Sequence, residues 1–409
     1  MHSRTGFTPI SFLIFLAILG LIFLAQRFWI RAGFRGIRRI KSPGWNRALR
    51  ILLTAVAVWL LVSVLDRLFL HFIPRQGPGL WMLTAAQLWL IPSTFGYLLI
   101  KIVHGVEWVW NAVTRPRPQA AAEPVGEPPR RTFFRYAAGL LGAVPVVAAV
   151  YGFARERFDF RVRQLEIPVP NLPPALDGLR LVQLSDIHIG DFMPVPEVRR
   201  AVQMANQLGA DIAFVTGDFI TGSRDPLEQC IAELAGLKAP LGVWGCNGNH
   251  EIYAEAEDRS QELFQQHGMR LLRQESAVLN WNGVGLNLIG VDYQRQREPM
   301  LVGVESLVRR DMPNILLSHN PNTFYRAAEL GIELSLAGHT HGGQVQVEIV
   351  DHRWSPARFI TRFISGLYSL PMNSGGKAHL YVNRGLGTIA IPARLGVDPE
   401  ITLITLKRA

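Results

Sequence analysis

The spacing of hydrophobic residues changes near residue 154. Before that point the chain contains long, almost uncharged apolar runs, and after it short β-branched runs alternate with segments of helical period. An apolar run of about 20 residues is long enough to cross a bilayer as a helix. Short apolar runs between helical segments are typical of a sheet covered by crossover helices. The pattern therefore predicts an α-helical membrane region followed by an α/β domain.

Four apolar runs divide the N-terminal part. They are Phe7–Ala25, Leu49–Ile73, Leu80–Val103 and Tyr136–Phe153. We assign residues 1–113 to a membrane region with three helices, 114–135 to a Pro-rich linker, 136–153 to a fourth transmembrane helix and 154–409 to the C-terminal domain. The predicted protein is a multi-pass protein of the cytoplasmic (inner) membrane.

Charge indicates how the chain is oriented. Residues 27–50 contain eight Arg or Lys residues and no acidic residue, which places this loop in the cytoplasm by the positive-inside rule. Counting spans then puts the C-terminal domain on the extracytoplasmic side. The segment Arg130–Arg135, R-R-T-F-F-R, resembles a twin-arginine export signal. Alternatively, its arginines hold the cytoplasmic end of the fourth helix. Both interpretations place residue 154 on the extracytoplasmic side. The arginines between 155 and 163 count against this orientation.

The net charge of +10 does not indicate nucleic-acid binding. Residues 1–153 hold 17 of the 42 basic and 4 of the 32 acidic residues, which leaves 25 and 28 for residues 154–409. The C-terminal domain is thus slightly acidic and offers no basic surface to a phosphate backbone. Two cysteines, Cys230 and Cys246, are too few for a disulfide framework.

In the C-terminal domain the alternation predicts strands joined by helices. The predicted helices are Val195–Leu208, Pro226–Leu237 and Ala254–His267. The predicted strands are Arg180–Ser185, Asp211–Thr216, Leu241–Cys246, Gly285–Val291, Asn314–Ser318 and Ile332–Ala337, and then Val345–Val350, His379–Val382 and Ile401–Leu406. The late strands have no helices between them, which favours a second sheet and a layered sandwich.

Polar clusters follow five of the six early strands. They are Asp186-Ile187-His188, Gly217-Asp218, Gly248-Asn249-His250-Glu251, Ser318-His319 and Gly338-His339-Thr340-His341. Ligands of open α/β sheets bind beyond the carboxyl ends of strands, so these clusters are expected to converge on one rim. Each is unremarkable alone, since Asp caps helices and Asn forms turns. Mixed His, Asp and Asn ligands suit two ions of Mn²⁺, Fe or Zn²⁺, with Mg²⁺ an option.

Two ions a few ångströms apart would clamp a phosphoryl group and supply hydroxide for attack on phosphorus. One carboxylate able to present an oxygen to each ion would bridge them. A histidine that binds neither ion is available to protonate the leaving oxygen, and His250 is the candidate.

The ordered motifs D-x-H, G-D, G-N-H-E, H and G-H-T-H resemble the calcineurin-like metallophosphoesterase superfamily over residues 178–406. The tail segments 383–387 and 399–402 resemble its bacterial membrane-associated branch of YkuE and YaeI type. The resemblance implies a four-layer α/β/β/α sandwich. It implies that Asp186, His188 and His341 bind one ion, that Asn249, His319 and His339 bind the other, that Asp218 bridges and that His250 assists catalysis. Glu251 stands where Asp is usual.

The expected activity is hydrolysis of a phosphodiester or phosphomonoester, with a lipid-linked substrate as one option. One alternative is a pyrophosphatase of the UDP-2,3-diacylglucosamine type, whose substrate lies on the cytoplasmic face. A second alternative is a non-catalytic membrane scaffold or sensor. Apolar positions in 351–368 recur at a helical period and suggest either an amphipathic helix at the membrane surface or a helix packed on the sheet.

Overall fold

In a computed structural model, the protein is described over residues 9–74, 76–114, 129–295, 299–344, 347–349, 352–354, 361–373 and 375–409. The chain forms two compact units, residues 1–151 and 152–409. Most of the predicted linker, residues 115–128, lies outside the described residues. The Arg130–Arg135 segment belongs to a helix.

The N-terminal unit consists of long apolar helices. They are α1 Pro9–Ile37, α2 Pro43–Leu65, which continues as one π-helical turn to Leu70, α3 Gly77–Val113 and α4 Pro129–Ala154. Within the described residues, four stretches are long and apolar enough to cross a membrane: Phe12–Ile37, Pro43–Leu70, Gly77–Val113 and Arg131–Phe158.

Polar side chains in these helices bond to one another. Gln26 donates to the Ser93 hydroxyl at 3.0 Å and accepts from Trp89 Nε1 at 2.9 Å. In hydrocarbon such groups find partners only within the protein, so the bonds hold α1 against α3. At Gly96 a side chain would overlap the carbonyl oxygen of Gly142, so the absence of one lets α3 and α4 approach closely.

The C-terminal unit contains two six-stranded sheets. Its strands are β1 Arg161–Val169, β2 Arg180–Leu184, β3 Ile212–Thr216, β4 Val243–Cys246, β5 Arg270–Leu271, β6 Glu275–Trp281, β7 Val284–Gly290, β8 Asn314–Leu317, β9 Leu334–Ala337, β10 Val347–Ile349, β11 His352–Trp354, β12 Gly366–Pro371, β13 Lys377–Val382 and β14 Glu400–Arg408. The orders are β1-β14-β2-β3-β4-β5 and β12-β13-β9-β8-β7-β6, and β10 pairs with β11. Strands β2 to β5 run parallel, as do β7, β8, β9 and β13.

The helices of this unit cover the outer faces of both sheets. They are α5 Val195–Asn206, α6 Leu227–Leu234, α7 Asn249–Tyr253, α8 Glu257–Gln266 and α9 Phe324–Leu330. Strand alternation explains the layers: Val182 packs under α5, α6 and α8, whereas the next-door Leu181 packs between the sheets against Leu288 and Leu317. Helix α9 packs on the far face of the second sheet. The expectation of a four-layer α/β/β/α sandwich is confirmed.

The helix expected within 351–368 is wrong where the structure describes it. Residues 352–354 form β11, and Gly366–Pro371 forms β12, which pairs antiparallel with β13. Phe363 is buried against Phe324, and the backbone N–H of Ile364 donates to the Tyr368 hydroxyl at 2.9 Å. Phe363 thus completes the core around α9, whereas Leu367 is 41% exposed.

Candidate metal centre

The polar clusters lie at the carboxyl ends of β2, β3, β4, β8 and β9. The backbone after β2 continues alongside that after β3, because Asp186 N donates to Gly217 O at 3.0 Å and His188 N donates to Asp218 O at 3.0 Å. The backbone N–H of His339 donates to the Asp186 carboxylate at 2.9 Å. The other two loops are joined as well, because Gly338 N donates to His319 O at 3.2 Å and His250 N donates to Asp218 Oδ1 at 3.0 Å.

Six of the eight predicted site residues form two groups that could each hold a metal ion. The first contains Asp186, His188, Asp218 and His341, and the second contains Asp218, His319 and His339. Asp218 is common to both. Its Oδ2 lies 3.5 Å from His188 Nε2 and 3.0 Å from His319 Nε2. One carboxylate oxygen therefore sits between the groups, which is the position of a bridging ligand.

Backbone acceptors orient the imidazoles of the two groups. His188 Nδ1 lies 3.0 Å from Ile220 O, and His319 Nδ1 lies 2.6 Å from Thr216 O. Since a carbonyl only accepts, these nitrogens carry the protons and leave Nε2 as the metal-binding atom. Nε2 of His188 lies only 3.2 Å from Nε2 of His341. His341 Nδ1 faces Gly387 O at 3.4 Å, which leaves its Nε2 unprotonated as well, so the two nitrogens repel and a cation between them would relieve the repulsion.

Burial and neighbouring charge set the protonation states. Burial lowers the pKa of His188 to about 3, that of His339 to about 4 and that of His341 well below its usual range, so all three are neutral, as ligands must be. Burial also disfavours charge on His319, but Asp218 and Asp186 outweigh it and raise the pKa of His319 to about 10. The same attraction holds the pKa of Asp218 well below its usual range, although burial opposes it. The carboxylates thus attract a cation to this point.

Asn249 provides a further test of whether the residues fit a metal. It is the first residue of α7, it is 5% exposed, and its Oδ1 is buried with no hydrogen-bond partner among the described residues. A buried carbonyl oxygen without a partner costs about 1–3 kcal/mol. An ion bound to it would remove that cost, so the donor set of Asp, His and Asn fits two divalent ions.

His250 lies beside the first group and belongs to neither. Its ring stands edge-on to His188 with centroids 4.8 Å apart, and its Nδ1 lies 2.7 Å from Thr221 O. Its backbone N–H donates to Asp218 Oδ1 at 3.0 Å. The side chain is only partly buried, so it can meet a substrate.

Two glycines at the rim lie unusually close to the carboxylates of Asp186 and Asp218. A Cβ on Gly338 would overlap the Ser185 hydroxyl and the Asp186 carboxylate, and a Cβ on Gly248 would overlap the Asp218 carboxylate. Both glycines precede residues of the predicted motifs. Any larger residue would displace a ligand carboxylate.

Two residues at the site were not singled out in the sequence. Arg394 is fully buried, and its guanidinium donates to the carbonyl oxygens of Arg384 at 2.9 Å, Gly385 at 3.0 Å and Gly387 at 2.6 Å. That tail segment in turn bonds to the backbone of Asp186. No sequence pattern marks Arg394. The other residue, Tyr293, follows β7, and its place after a strand was an available signal.

Comparison with known proteins agrees with this geometry. Residues 179–343 match the family model described as calcineurin-like phosphoesterase. The chain carries a calcineurin-like metallophosphoesterase domain, and the expectation of a metal-dependent phosphoesterase is confirmed.

Within the superfamily the chain falls in the branch expected from its sequence. It is 29% identical over 284 residues to the metallophosphoesterase YkuE of Bacillus subtilis, an alignment that covers 68% of this chain and 97% of that protein. It is 31% identical over 283 residues to a transmembrane protein with metallophosphoesterase domain from Danio rerio, covering 65% of this chain and 62% of that protein. A more distant relative is the UDP-2,3-diacylglucosamine pyrophosphatase LpxG of Chlamydia trachomatis, 27% identical over 60% of this chain and 89% of that protein. The candidate spans and the zebrafish relative support association with a membrane.

Proposed function

We propose that the protein is a membrane-anchored dimetal phosphohydrolase that cleaves phosphodiester or phosphomonoester bonds. The observation that carries the proposal is the convergence of side chains from four strand ends into two groups that share Asp218. When bound, two divalent ions would polarise phosphoryl oxygens and lower the pKa of a water for in-line attack on phosphorus.

The chain's own residues then have distinct roles. Asp186, His188 and His341 would hold one ion, Asn249, His319 and His339 would hold the other, and Asp218, which is common to both groups, would serve both. The Nδ1 hydrogen bonds to backbone carbonyls keep Nε2 of His188 and His319 turned to the ions. The mixed nitrogen and oxygen ligands favour Mn²⁺, Fe or Zn²⁺ over Mg²⁺.

His250 acts as the proton donor to the leaving oxygen. Thr221 O holds Nδ1, which fixes the ring and leaves Nε2 to carry the transferred proton. The backbone bond from His250 N to the Asp218 carboxylate keeps the donor at a fixed distance from the bridging ligand.

The activity is tested with the full-length protein in detergent. Mn²⁺, Zn²⁺ and Mg²⁺ are supplied separately, with bis(p-nitrophenyl) phosphate and p-nitrophenyl phosphate as substrates. The Asp218→Ala variant should lose both ions and turnover. Asp311→Ala, which removes an exposed carboxylate, should keep both. Equal slow turnover by wild type and Asp218→Ala would favour the non-catalytic scaffold.

We further propose a multi-pass protein of the cytoplasmic membrane whose catalytic domain lies outside the cytoplasm. The support is the count of four candidate spans and the basic, acid-free segment 27–50. Both native cysteines are buried, and burial raises the pKa of each thiol well above its usual value, so neither should react with a maleimide.

Single introduced cysteines can therefore report the orientation. A membrane-impermeant maleimide should label Ser306→Cys in intact spheroplasts, because Ser306 is exposed in the C-terminal unit. It should label Ser42→Cys, between α1 and α2, only after permeabilisation. The reverse pattern would place the catalytic domain in the cytoplasm.

The similarity to LpxG favours one second candidate, hydrolysis of the pyrophosphate bond of a UDP-diacylglucosamine. Such a lipid-linked substrate would also account for a membrane anchor. Thin-layer analysis of radiolabelled UDP-2,3-diacylglucosamine incubated with the metal-loaded protein separates the candidates. Release of UMP at a rate above that of simple diesters would favour the pyrophosphatase, together with a cytoplasmic orientation.

A further inference from the structure

Strand β7 ends at the same rim as the ligand-bearing strands. It runs parallel to β8, and its chain continues as Val291-Asp292-Tyr293. None of the proposed metal ligands comes from this strand end. The segment therefore borders the site, but none of its residues has yet been given a function there.

Two hydrogen bonds hold this segment between the loop of Asn249 and the loop of His319. Asn247 Nδ2 donates to Asp292 Oδ1 at 2.8 Å, and Asn320 Nδ2 donates to the Gln294 carbonyl oxygen at 2.6 Å. Asn247 stands two residues before the ligand Asn249, and Asn320 directly follows His319. Arg273 Nε also bonds to Asp292 Oδ2 at 2.8 Å. The residue between the two attachment points is Tyr293, and it is fixed on either side.

The ring of Tyr293 lies next to the ligands of the second group. Its centroid is 5.3 Å from that of His339 and 6.2 Å from that of His319. The side chain is only half-buried, and no described residue forms a hydrogen bond with its hydroxyl. A phenol is protonated at neutral pH, so it is a hydrogen-bond donor without an acceptor among the described residues, at the mouth of the site.

His250 and Tyr293 contact different groups of ligands. His250 contacts His188 of the first group, whereas Tyr293 contacts His339 of the second. In an in-line displacement the attacking and leaving oxygens lie at opposite ends and the remaining phosphoryl oxygens lie between them. Since His250 serves the leaving oxygen, a donor beside the second group is placed to reach one of the oxygens in between.

We infer that the Tyr293 hydroxyl donates a hydrogen bond to a non-bridging oxygen of the substrate phosphoryl group, over the second group of ligands. The inference rests on the proposed function and makes Tyr293 a catalytic residue of it. No proton is transferred: the phenol keeps its hydrogen, and the bond strengthens as negative charge grows on that oxygen in the transition state. The same contact binds the phosphate group of the product, which is inorganic phosphate from a monoester and a phosphomonoester from a diester.

The test uses the Tyr293→Phe variant of the full-length protein loaded with Mn²⁺. Its kcat should fall by about 100-fold, the usual effect of removing one preorganised donor, while two ions per chain and the melting temperature stay unchanged. The loss should be equal for aryl phosphoesters with good and poor leaving groups. For His250→Gln the loss should grow as the leaving group becomes poorer. Tyr325→Phe, which changes an exposed tyrosine on α9, should match the wild type.

A second measurement does not depend on turnover. Calorimetric titration with inorganic phosphate should show about tenfold weaker binding to Tyr293→Phe than to wild type, and Tyr293→His, which restores a donor, should recover part of it. Unchanged kcat and phosphate affinity would overturn the inference. A loss that grows with leaving-group pKa would also overturn it, by moving the contact to the leaving oxygen. If the wild type binds phosphate but hydrolyses no ester, the proposed function fails, and the titration still decides the contact.

Discussion

Glu251 should be one of the most sensitive positions of the C-terminal unit, although it is outside both groups of ligands. It is fully buried. One carboxylate oxygen accepts the backbone N–H groups of Phe219 at 2.8 Å and Ile220 at 3.3 Å. The other accepts those of Asp218 at 2.9 Å and Gly248 at 2.8 Å. The side chain thus joins the loop of the bridging aspartate to the loop of Asn249.

The Glu251→Gln variant changes little in volume but replaces one acceptor by an N–H₂ group. Whichever way the amide turns, two backbone N–H groups then face another donor. Each buried donor left without an acceptor costs about 1–3 kcal/mol, so the expected loss of unfolding free energy is roughly 2–6 kcal/mol. For a unit of this size that corresponds to a melting temperature lower by about 10 °C. Asp218 and Asn249 lose their common support, so metal occupancy should also fall.

Thermal unfolding of the full-length protein, followed by tryptophan fluorescence, measures the first effect, and metal analysis after gel filtration measures the second. Glu262→Gln is the matched control, because Glu262 is exposed and paired only with Arg259, a kind of contact that contributes about 0–1 kcal/mol. Glu251→Asp keeps the charge but is shorter by one methylene, so its melting temperature and metal content should lie between those of Glu251→Gln and the wild type. If Glu251→Gln melts with the control and keeps two ions, the support assigned to this carboxylate is wrong.

Four other substitutions test different parts of the centre. His339→Ala and His341→Ala should each lower the metal content from two ions to about one and abolish hydrolysis, and full activity in either would contradict the ligand assignment. Gly338→Ala should lower the occupancy of the first metal site, because the new Cβ overlaps the Asp186 carboxylate. The control Gly222→Ala has open space at its Cβ and should keep both ions. Equal metal content in the two variants would refute the steric argument. Arg394→Met leaves three carbonyl oxygens without their buried donor, so it should lower the unfolding free energy of the C-terminal unit by about 3 kcal/mol or more. An unchanged unfolding free energy would mean that water replaces the guanidinium.

The sequence was sufficient for the central strands because buried parallel strands leave a strong apolar signal. Strand β1 was missed because R-V-R-Q-L-E-I-P-V alternates charged and apolar residues at a sheet edge, and its arginines were weighed for membrane orientation instead. The β6–β7 hairpin was also missed, although Asn282-Gly283 between two apolar runs is a strong turn signal. Both residues have positive φ, 50° and 79°, as a type I′ turn requires.

The helix wrongly expected at residues 361–368 has a different cause. Apolar residues at a spacing of three and four fit one helix face, but they also fit a loop that enters a core and then becomes a strand. Gly366, at φ 88°, separates the two and begins β12. Periodicity over so short a segment cannot distinguish a helix from such a loop, because only the tertiary contacts with α9 decide it.

The residues of the centre were accessible to sequence reasoning, but their geometry was not. The resemblance assigns His339 and His341 to different ions, but only the structure shows how residues so close in sequence separate: the backbone turns after β9, and His341 lies in the first group while His339 lies in the second. The order of motifs along the chain identifies chemistry-bearing loops because parallel strands end at one edge. The hydrogen bonds that connect those loops involve backbone atoms, which no residue pattern encodes.

Backbone strain concentrates at the ligands and explains why the rim needs so much support. Five of the seven proposed ligands have φ between 49° and 74°, a left-handed region that non-glycine residues rarely occupy: Asp186, His188, Asp218, His339 and His341. Each such residue costs on the order of 1 kcal/mol or more and persists only where its surroundings fix it. Here the fixing is visible, since backbone bonds join the loops after β2 and β3 and the Asp186 carboxylate accepts the His339 N–H. Strained residues that are also the metal-binding groups imply that the fold holds the ligands in place before any ion arrives, so a substitution such as Glu251→Gln should act on metal affinity and on stability together.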